Sequence, residues 1–263
     1  MMKKFLIVAA IAILGSVATQ AADIKARPVY KKAPVVAPVW SWTGSYIGAY
    51  VGGAWADPCT SVPVNAAGVP LFGGGPSCYN LSSSVIAGYT GGYNWQFAPN
   101  WLIGYEGETG YIHMRGTGAY PGVPTAFAHT DVGSMYSVWS ARFGYIMDKS
   151  LFYVKGGGAL VRFEDDVLGK STGGASFIDM ENRKYKFGYA VGGGWEYAFD
   201  PTWSFKTEYL YLGFGGRSIT GNARSCPDGC GPIMQEFAST SSVGIHTVKV
   251  GLNHKWDWFG LLH

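Results

Sequence analysis

Four cysteines, five histidines and a set of regularly spaced charges are the residues of this 263-residue chain with chemistry to offer. Glu106, Glu108, Arg142, Lys155, Glu196, Lys206, Glu208 and Lys249 fall on one side of stretches whose other side is aromatic or aliphatic. Four carboxylates facing four cations, amid many glycines, suit a narrow interior in which every buried charge needs a partner. Such a network either neutralises a polar core or closes a gate for a solute. The first use asks less of the residues and is the preferred reading.

Cys59 and Cys78 lie in one long connection, Cys226 and Cys230 in another, the latter as CPDGC. An even count in an exported chain reads as disulfides. One bond within each connection is the preferred pairing, and crossed pairing between the two is the other arrangement. A zinc site would need supporting histidines that these connections lack, so no metal is expected. His113 and His129, with Tyr120 between them, are the candidate haemin ligands, although lone loop histidines are more commonly just solvated. His246 with Ser241 or Ser242 could begin a hydrolytic triad. No carboxylate stands near it in sequence, and activating a nucleophile requires that geometry. The chain is read as no enzyme, and no cofactor is expected.

Alternation with a period of two is what must position these groups. Residues 87–111 read AGYTGGYNWQFAPNWLIGYEGETGY: Tyr89, Tyr93, Trp95 and Phe97 alternate with small or polar residues. A break at Pro99–Asn100 follows, and Trp101, Ile103 and Tyr105 resume the pattern, with Glu106 and Glu108 on the opposite face. This predicts a strand, a tight turn and a second strand. The unit recurs around Asp148-Lys149-Ser150 and Asp200-Pro201-Thr202, about 50 residues apart each time. Eight strands are predicted, near residues 42–55, 83–97, 101–114, 135–147, 151–163, 185–199, 203–214 and 242–256. Long connections (56–82, 115–134, 164–184, 215–241) alternate with short ones, the mark of an up-and-down antiparallel meander.

Which face meets which medium follows from the rings. Tyr93, Trp95, Phe97, Trp101, Tyr145, Trp195, Tyr197, Phe199, Trp203 and Phe205 crowd beside the short turns, where a membrane-interface girdle belongs. Aromatics make up 16% of the chain against 14% charged residues, too few charges for an ordinary water-covered surface. The start, Met-Met-Lys3-Lys4 followed by about ten apolar residues and Thr19-Gln20-Ala21, has the layout of a secretory signal peptide spanning residues 1–21. No other apolar run is long enough for a membrane helix. An exported chain that crosses a membrane without helices must do so as a closed barrel. The expected architecture is therefore all-β: an eight-stranded antiparallel up-and-down transmembrane β-barrel with long extracellular loops and short periplasmic turns. Residues 22–41, with Pro28, Pro34, Pro38 and several lysines, form a periplasmic linker; the barrel occupies 42–256 and an extension 257–263. Without Lys3 and Lys4 the formal charge is near +1, and no basic cluster suggests a nucleic-acid partner.

The segments WTGSYIGAYVGG (from Trp42), GYTGGYNWQ (from Gly88), EYAF (from Glu196), KTEYLY (from Lys206) and HTVKVGLN (from His246) resemble the small outer-membrane barrel proteins of alphaproteobacteria, the OmpA-like or "porin family" barrels. The resemblance covers nearly everything after the leader. It implies an abundant outer-membrane surface protein in contact with lipid and lipopolysaccharide, with a structural, adhesive or antigenic role displayed by its loops. A small gated channel or a haemin receptor is the alternative. It also implies recognition of the last strand by the barrel-assembly machinery. That strand usually ends Asn-Tyr-Lys-Phe in the family, whereas here it reads Asn253-His254-Lys255-Trp256 and a tail follows.

Overall fold

The computed structural model describes residues 40–57, 59–64, 77–119, 126–170, 177–224, 234–240 and 242–256. Among them all regular structure is strand: β1 (Gly44–Ala56), β2 (Cys59–Val64), β3 (Ser77–Tyr79), β4 (Ser84–Ala98), β5 (Trp101–Tyr111), β6 (Met114–Ala119), β7 (Ala126–Met147), β8 (Ser150–Lys170), β9 (Phe177–Ala198), β10 (Trp203–Phe214), β11 (Arg217–Arg224), β12 (Met234–Thr240) and β13 (Val243–Trp256). Strands β1, β4, β5, β7, β8, β9, β10 and β13 pair in that circular order, every pair antiparallel, and β13 returns to β1. This is the eight-stranded barrel.

The short turns hold by local chemistry. Asp148 adopts the left-handed conformation (φ 52°) in the two-residue link between β7 and β8, a region that Asp tolerates better than most residues. Asn100 donates its side-chain amide to the Ile146 carbonyl at 2.8 Å, tying one turn to the next strand. At the third turn the Thr202 amide (3.0 Å) and hydroxyl (2.8 Å) donate to the Asp200 carboxylate, holding its pKa below the usual range. Trp40 and Ser41, assigned from sequence to the linker, are tied to this end. Trp40 meets Trp42 edge-on at 5.5 Å, and Lys255 Nζ donates to the Ser41 carbonyl at 2.6 Å. The signal-peptide segment, the rest of the linker and the tail after Trp256 lie outside the described residues.

At the other end two of the expected connections, 115–134 and 164–184, are in large part strand. Residues 126–134 and 164–170 are strand, so β7, β8 and β9 run 22, 21 and 22 residues. A membrane crossing needs only about 9–11 tilted residues, so these three strands project well beyond any apolar band. The small strands β2, β3, β6, β11 and β12 add to the projection: β11 joins β9 and β12, β12 joins β2, β2 joins β3, and β6 joins β7. The sequence hides this because the extension has no apolar face to alternate against a polar one. In 164–166, for example, three carboxylates stand in a row.

Candidate functional site

Alternation puts one residue in two inside the barrel, and the interior is layered. Next to the short turns, Trp42, Leu102, Ile146, Leu151, Tyr153 and Ala198 form a small apolar floor. Toward the projecting end a larger apolar cluster includes Ile86, Ile112, Met114, Val138, Val161, Phe163, Leu210, Leu212, Phe214 and Ile245. Between them lie the eight charged side chains named above, all buried.

These charges form one cage. Lys155 Nζ stands 2.7 Å from Glu106, 3.2 Å from Glu108 and 2.9 Å from Glu208. Arg142 bridges Glu106 (3.3 Å) and Glu196 (2.9 Å), and its guanidinium lies over the Tyr153 ring at 4.1 Å. Lys206 reaches Glu106 at 3.0 Å, while Lys249 reaches Glu108 and Glu208, both at 2.7 Å. Neutral groups complete it: Tyr46 donates to Glu106 (2.8 Å), Tyr153 to Glu208 (2.8 Å), and Ser204 and Asn253 to Glu196 (2.5 and 2.7 Å). Each carboxylate therefore has at least one cation and further donors, the condition under which burying ions is tolerable.

The tyrosines escaped the sequence reading, which assigned rings to the outer face. Tyr46 and Tyr50 point inward, and their register gave a signal: they alternate with outward Ile47 and Val51. Glycines make room for them. A Cβ on Gly92 would collide with the Tyr105 carbonyl and meet the Tyr46 hydroxyl at 2.7 Å; one on Gly194 would meet the Tyr153 hydroxyl at 2.6 Å. Interior glycine is thus the counterpart of interior tyrosine, and Tyr50 and Tyr136 close the top of the cage with a 2.8 Å hydroxyl contact.

Glu106, Glu108 and Glu208 are close enough to share a cation. The Lys155 ammonium already sits within 3.2 Å of all three, in the place a metal would take. The carboxylate chemistry is spent on lysine.

The ten girdle aromatics all point outward, and some of them are in ring contact: Trp101 lies 5.0 Å from Tyr145, as well as 5.2 Å from Phe143, and Trp195 lies 6.0 Å from Tyr197 and 6.4 Å from Phe205. A second outward set nearer the projection, with Trp55, Tyr89, Tyr111, Trp139, Tyr185, Phe187, Tyr189 and Tyr209, went unread because it lies far from the short turns.

The remaining candidates scatter. His113 lies 3.5 Å from Asp131 and His129 shares a hydrogen bond with Thr117 (2.9 Å); Tyr120 falls outside the described residues. Cys59 and Cys78 stand on adjacent strands, one register step apart, with Cys59 opposite Tyr79 and Thr60 opposite Cys78, while Cys226 and Cys230 lie outside the described residues. His246 does have a carboxylate, contrary to the sequence reading: Asp57, 189 positions away, is 3.3 Å from its Nε2. Its Nδ1, however, pairs with the Tyr209 hydroxyl at 2.7 Å, and its ring stacks on Trp55. Ser241 is not among the described residues, and no serine is a partner of His246 among those that are. On the outer side of the projecting sheet, His129, Asp166 and Glu181 form one cross-strand row. Burial, reinforced by Glu181 and Asp165, raises the Asp166 pKa, with His129 and Arg183 opposing it.

A family model described as outer membrane protein beta-barrel domain matches residues 7–253. The chain is 30% identical over 269 residues to a protein named 31 kDa outer-membrane immunogenic protein from Brucella melitensis, covering 96% of this chain and all of that one. The same figures hold for its Brucella suis counterpart. Among solved structures, the outer membrane protein OprG from Pseudomonas aeruginosa superposes with a TM-score of 0.51 at 14% identity, covering 83% of this chain and 99% of that one, a likeness of fold.

Proposed function

This chain belongs to the outer membrane protein beta-barrel family, and we propose that within the outer membrane it is a sealed, non-enzymatic pedestal for a surface-exposed sheet. The filled interior carries the reading. An eight-stranded barrel is just narrow enough for its own side chains to fill it, and here an ion cage lies between two apolar layers. Water and solutes meet no continuous polar path, and opening one would mean separating several buried ion pairs at once. The cage is then a weld and not a gate. Eight interacting charges also tie seven of the eight barrel strands together, because β5, β7, β8, β9, β10 and β13 supply the ions and β1 supplies Tyr46.

What the barrel holds up is the extension of β7, β8 and β9 with its added strands. The name of the Brucella relatives, outer-membrane immunogenic protein, supports placing that end outside the cell. Residues 1–21 then serve as a cleaved export signal, 22–39 as a periplasmic spacer, and the edge ending at Trp256 as the strand read by the assembly machinery. Planar-bilayer recording of the purified protein tests the seal: no unit steps are expected. Discrete, reproducible conductance from the wild-type chain would replace the pedestal with a channel. Protease applied to intact cells tests orientation, with cleavage expected in the projection and none at Pro99 or Pro201.

A further inference from the structure

Among the described residues the wall parts along β9. β9 pairs with β10 from Ala198 up to Tyr189, opposite Gly213, and then with β11 from Met180, opposite Gly221. Among the described residues no register pair joins 181–188 to 214–220. The break therefore spans about 25 Å of strand. The Lys186 side chain reaches across it, its Nζ donating to the Gly216 carbonyl at 3.0 Å.

Behind the break lies a cavity of about 380 Å³ lined by Phe163, Asp165, Lys184, Tyr185, Lys186, Arg217 and Ser218. Its floor is built and rigid. Arg217 grips Asp165 with Nε at 2.6 Å and Nη2 at 3.0 Å, its guanidinium lies 4.2 Å over the Phe163 ring, and Thr130 donates to the same carboxylate at 2.7 Å. Asp165 is thus committed to Arg217. Lys184 and Lys186, which face inward opposite Phe163 and Val161, have no carboxylate within ion-pair distance among the described residues. Arg115, Arg142, Lys155, Arg162, Arg183, Lys206, Arg217 and Lys249 each have one. The cavity holds three cations and one carboxylate, a surplus of two positive charges.

Its height in the membrane follows from β9. From Tyr197, in the girdle by the short turns, to Tyr185 the strand runs about 40 Å, which a tilt of 35–45° turns into a rise of about 30 Å. That is the apolar band plus its interfaces. The rings that alternate with the two lysines, Tyr185 (64% exposed) and Phe187 (67% exposed), face outward as an interface belt does. The break opens at the headgroup level of one leaflet.

We propose that this cavity binds a phosphate monoester, presented laterally by a lipid headgroup or taken as free phosphate from solution. A phosphate monoester carries about −1.5 to −2 at neutral pH and balances the surplus, where a carboxylate would leave one ammonium uncompensated. The assignment of the leaflet as the outer one rests on the orientation proposed above, which protease accessibility tests separately; binding measured in detergent does not depend on it.

The test is native mass spectrometry of the full detergent-solubilised protein titrated with bisphosphorylated lipid A, with the same lipid stripped of phosphate, and with inorganic phosphate. Phosphate-dependent binding is expected, weakened at least tenfold in the Lys184→Gln/Lys186→Gln double variant. That variant should keep the wild-type shift between unheated and boiled gel samples, which shows the barrel intact. Tight binding of the lipid alone identifies a headgroup site, and equal binding of inorganic phosphate identifies a soluble-anion site. Equal binding of the stripped lipid, binding unchanged in the double variant, or no binding of any probe overturns the proposal.

Discussion

At the height of the ion cage every strand is hydrogen-bonded on both sides, whereas about 30 Å farther along β9 the same wall stands open. The two regions also treat charge differently. In the cage four acids and four bases compensate one another and are sealed from solvent; at the break Arg217 and Asp165 pair while Lys184 and Lys186 are left over. The medium accounts for both contrasts. An unpaired backbone group or unbalanced charge in hydrocarbon costs several kcal/mol, so the lipid-embedded part has to close and neutralise. Above the lipid, water satisfies whatever the chain leaves unpaired, and the fold is free to leave gaps.

The contrast breaks most decisively at Glu106. Its carboxylate serves Arg142, Lys155 and Lys206; Glu106→Ala leaves the buried cage one negative charge short, with Lys206 keeping only Glu208 at 4.0 Å. About 3–5 kcal/mol of barrel stability should be lost, read as a lower urea midpoint in lipid vesicles. A midpoint within error of wild type would mean that water reaches the cage. Asp165→Ala leaves a single arginine beside an open cavity. It should leave that midpoint nearly unchanged and act only on the projection, seen as several-fold faster protease cleavage there with the barrel fragment intact.

Glycine sharpens the same contrast across the wall. Gly92 looks inward, where an added methyl meets the Tyr46 hydroxyl; Gly107 looks outward, and a Cβ there finds its nearest atoms 3.9 Å away. Gly92→Ala should cost about 1–3 kcal/mol through overpacking. Gly107→Ala should be neutral or stabilise by about 0.4–1 kcal/mol, since it only removes freedom from the unfolded chain. Equal effects in vesicle unfolding would deny that the interior is tightly filled.

The same division decided what the sequence could reveal. Where one face meets lipid and the other a packed core, side-chain type tracks position. Trp101, Ile103 and Tyr105 against Leu102, Glu106 and Glu108 located the eight barrel strands and both faces. Interior tyrosines were the exception, because a ring suits either face and only its register tells which. In the projection the code fails. Glu164, Asp165 and Asp166 read as one acidic loop, yet Asp165 is buried against Arg217 while its neighbours look outward. The partner lies 52 residues away, and no local pattern points to it. Asp57 and His246, 189 positions apart, were unreadable for the same reason.

The smallest effect expected concerns Asp166, in the projection. Burial, helped by Glu181 and Asp165, lifts this carboxyl above its ordinary value of 3.8, and His129 and Arg183 only partly compensate. The folded projection therefore binds the proton more tightly than the unfolded chain does. Stability from this group is present below pH 3.8 and is lost as pH rises through the folded value. Protease resistance of the projection should accordingly increase slightly as pH falls from 7 toward 4 in the wild type, measured with an acid-tolerant protease and a substrate control. Asp166→Asn, neutral at every pH, should remove that component of the slope. A steeper slope in the variant would mean that the charged form is the one stabilised, with His129 and Arg183 outweighing burial, so that this carboxylate too is neutralised by its neighbours as those of the cage are.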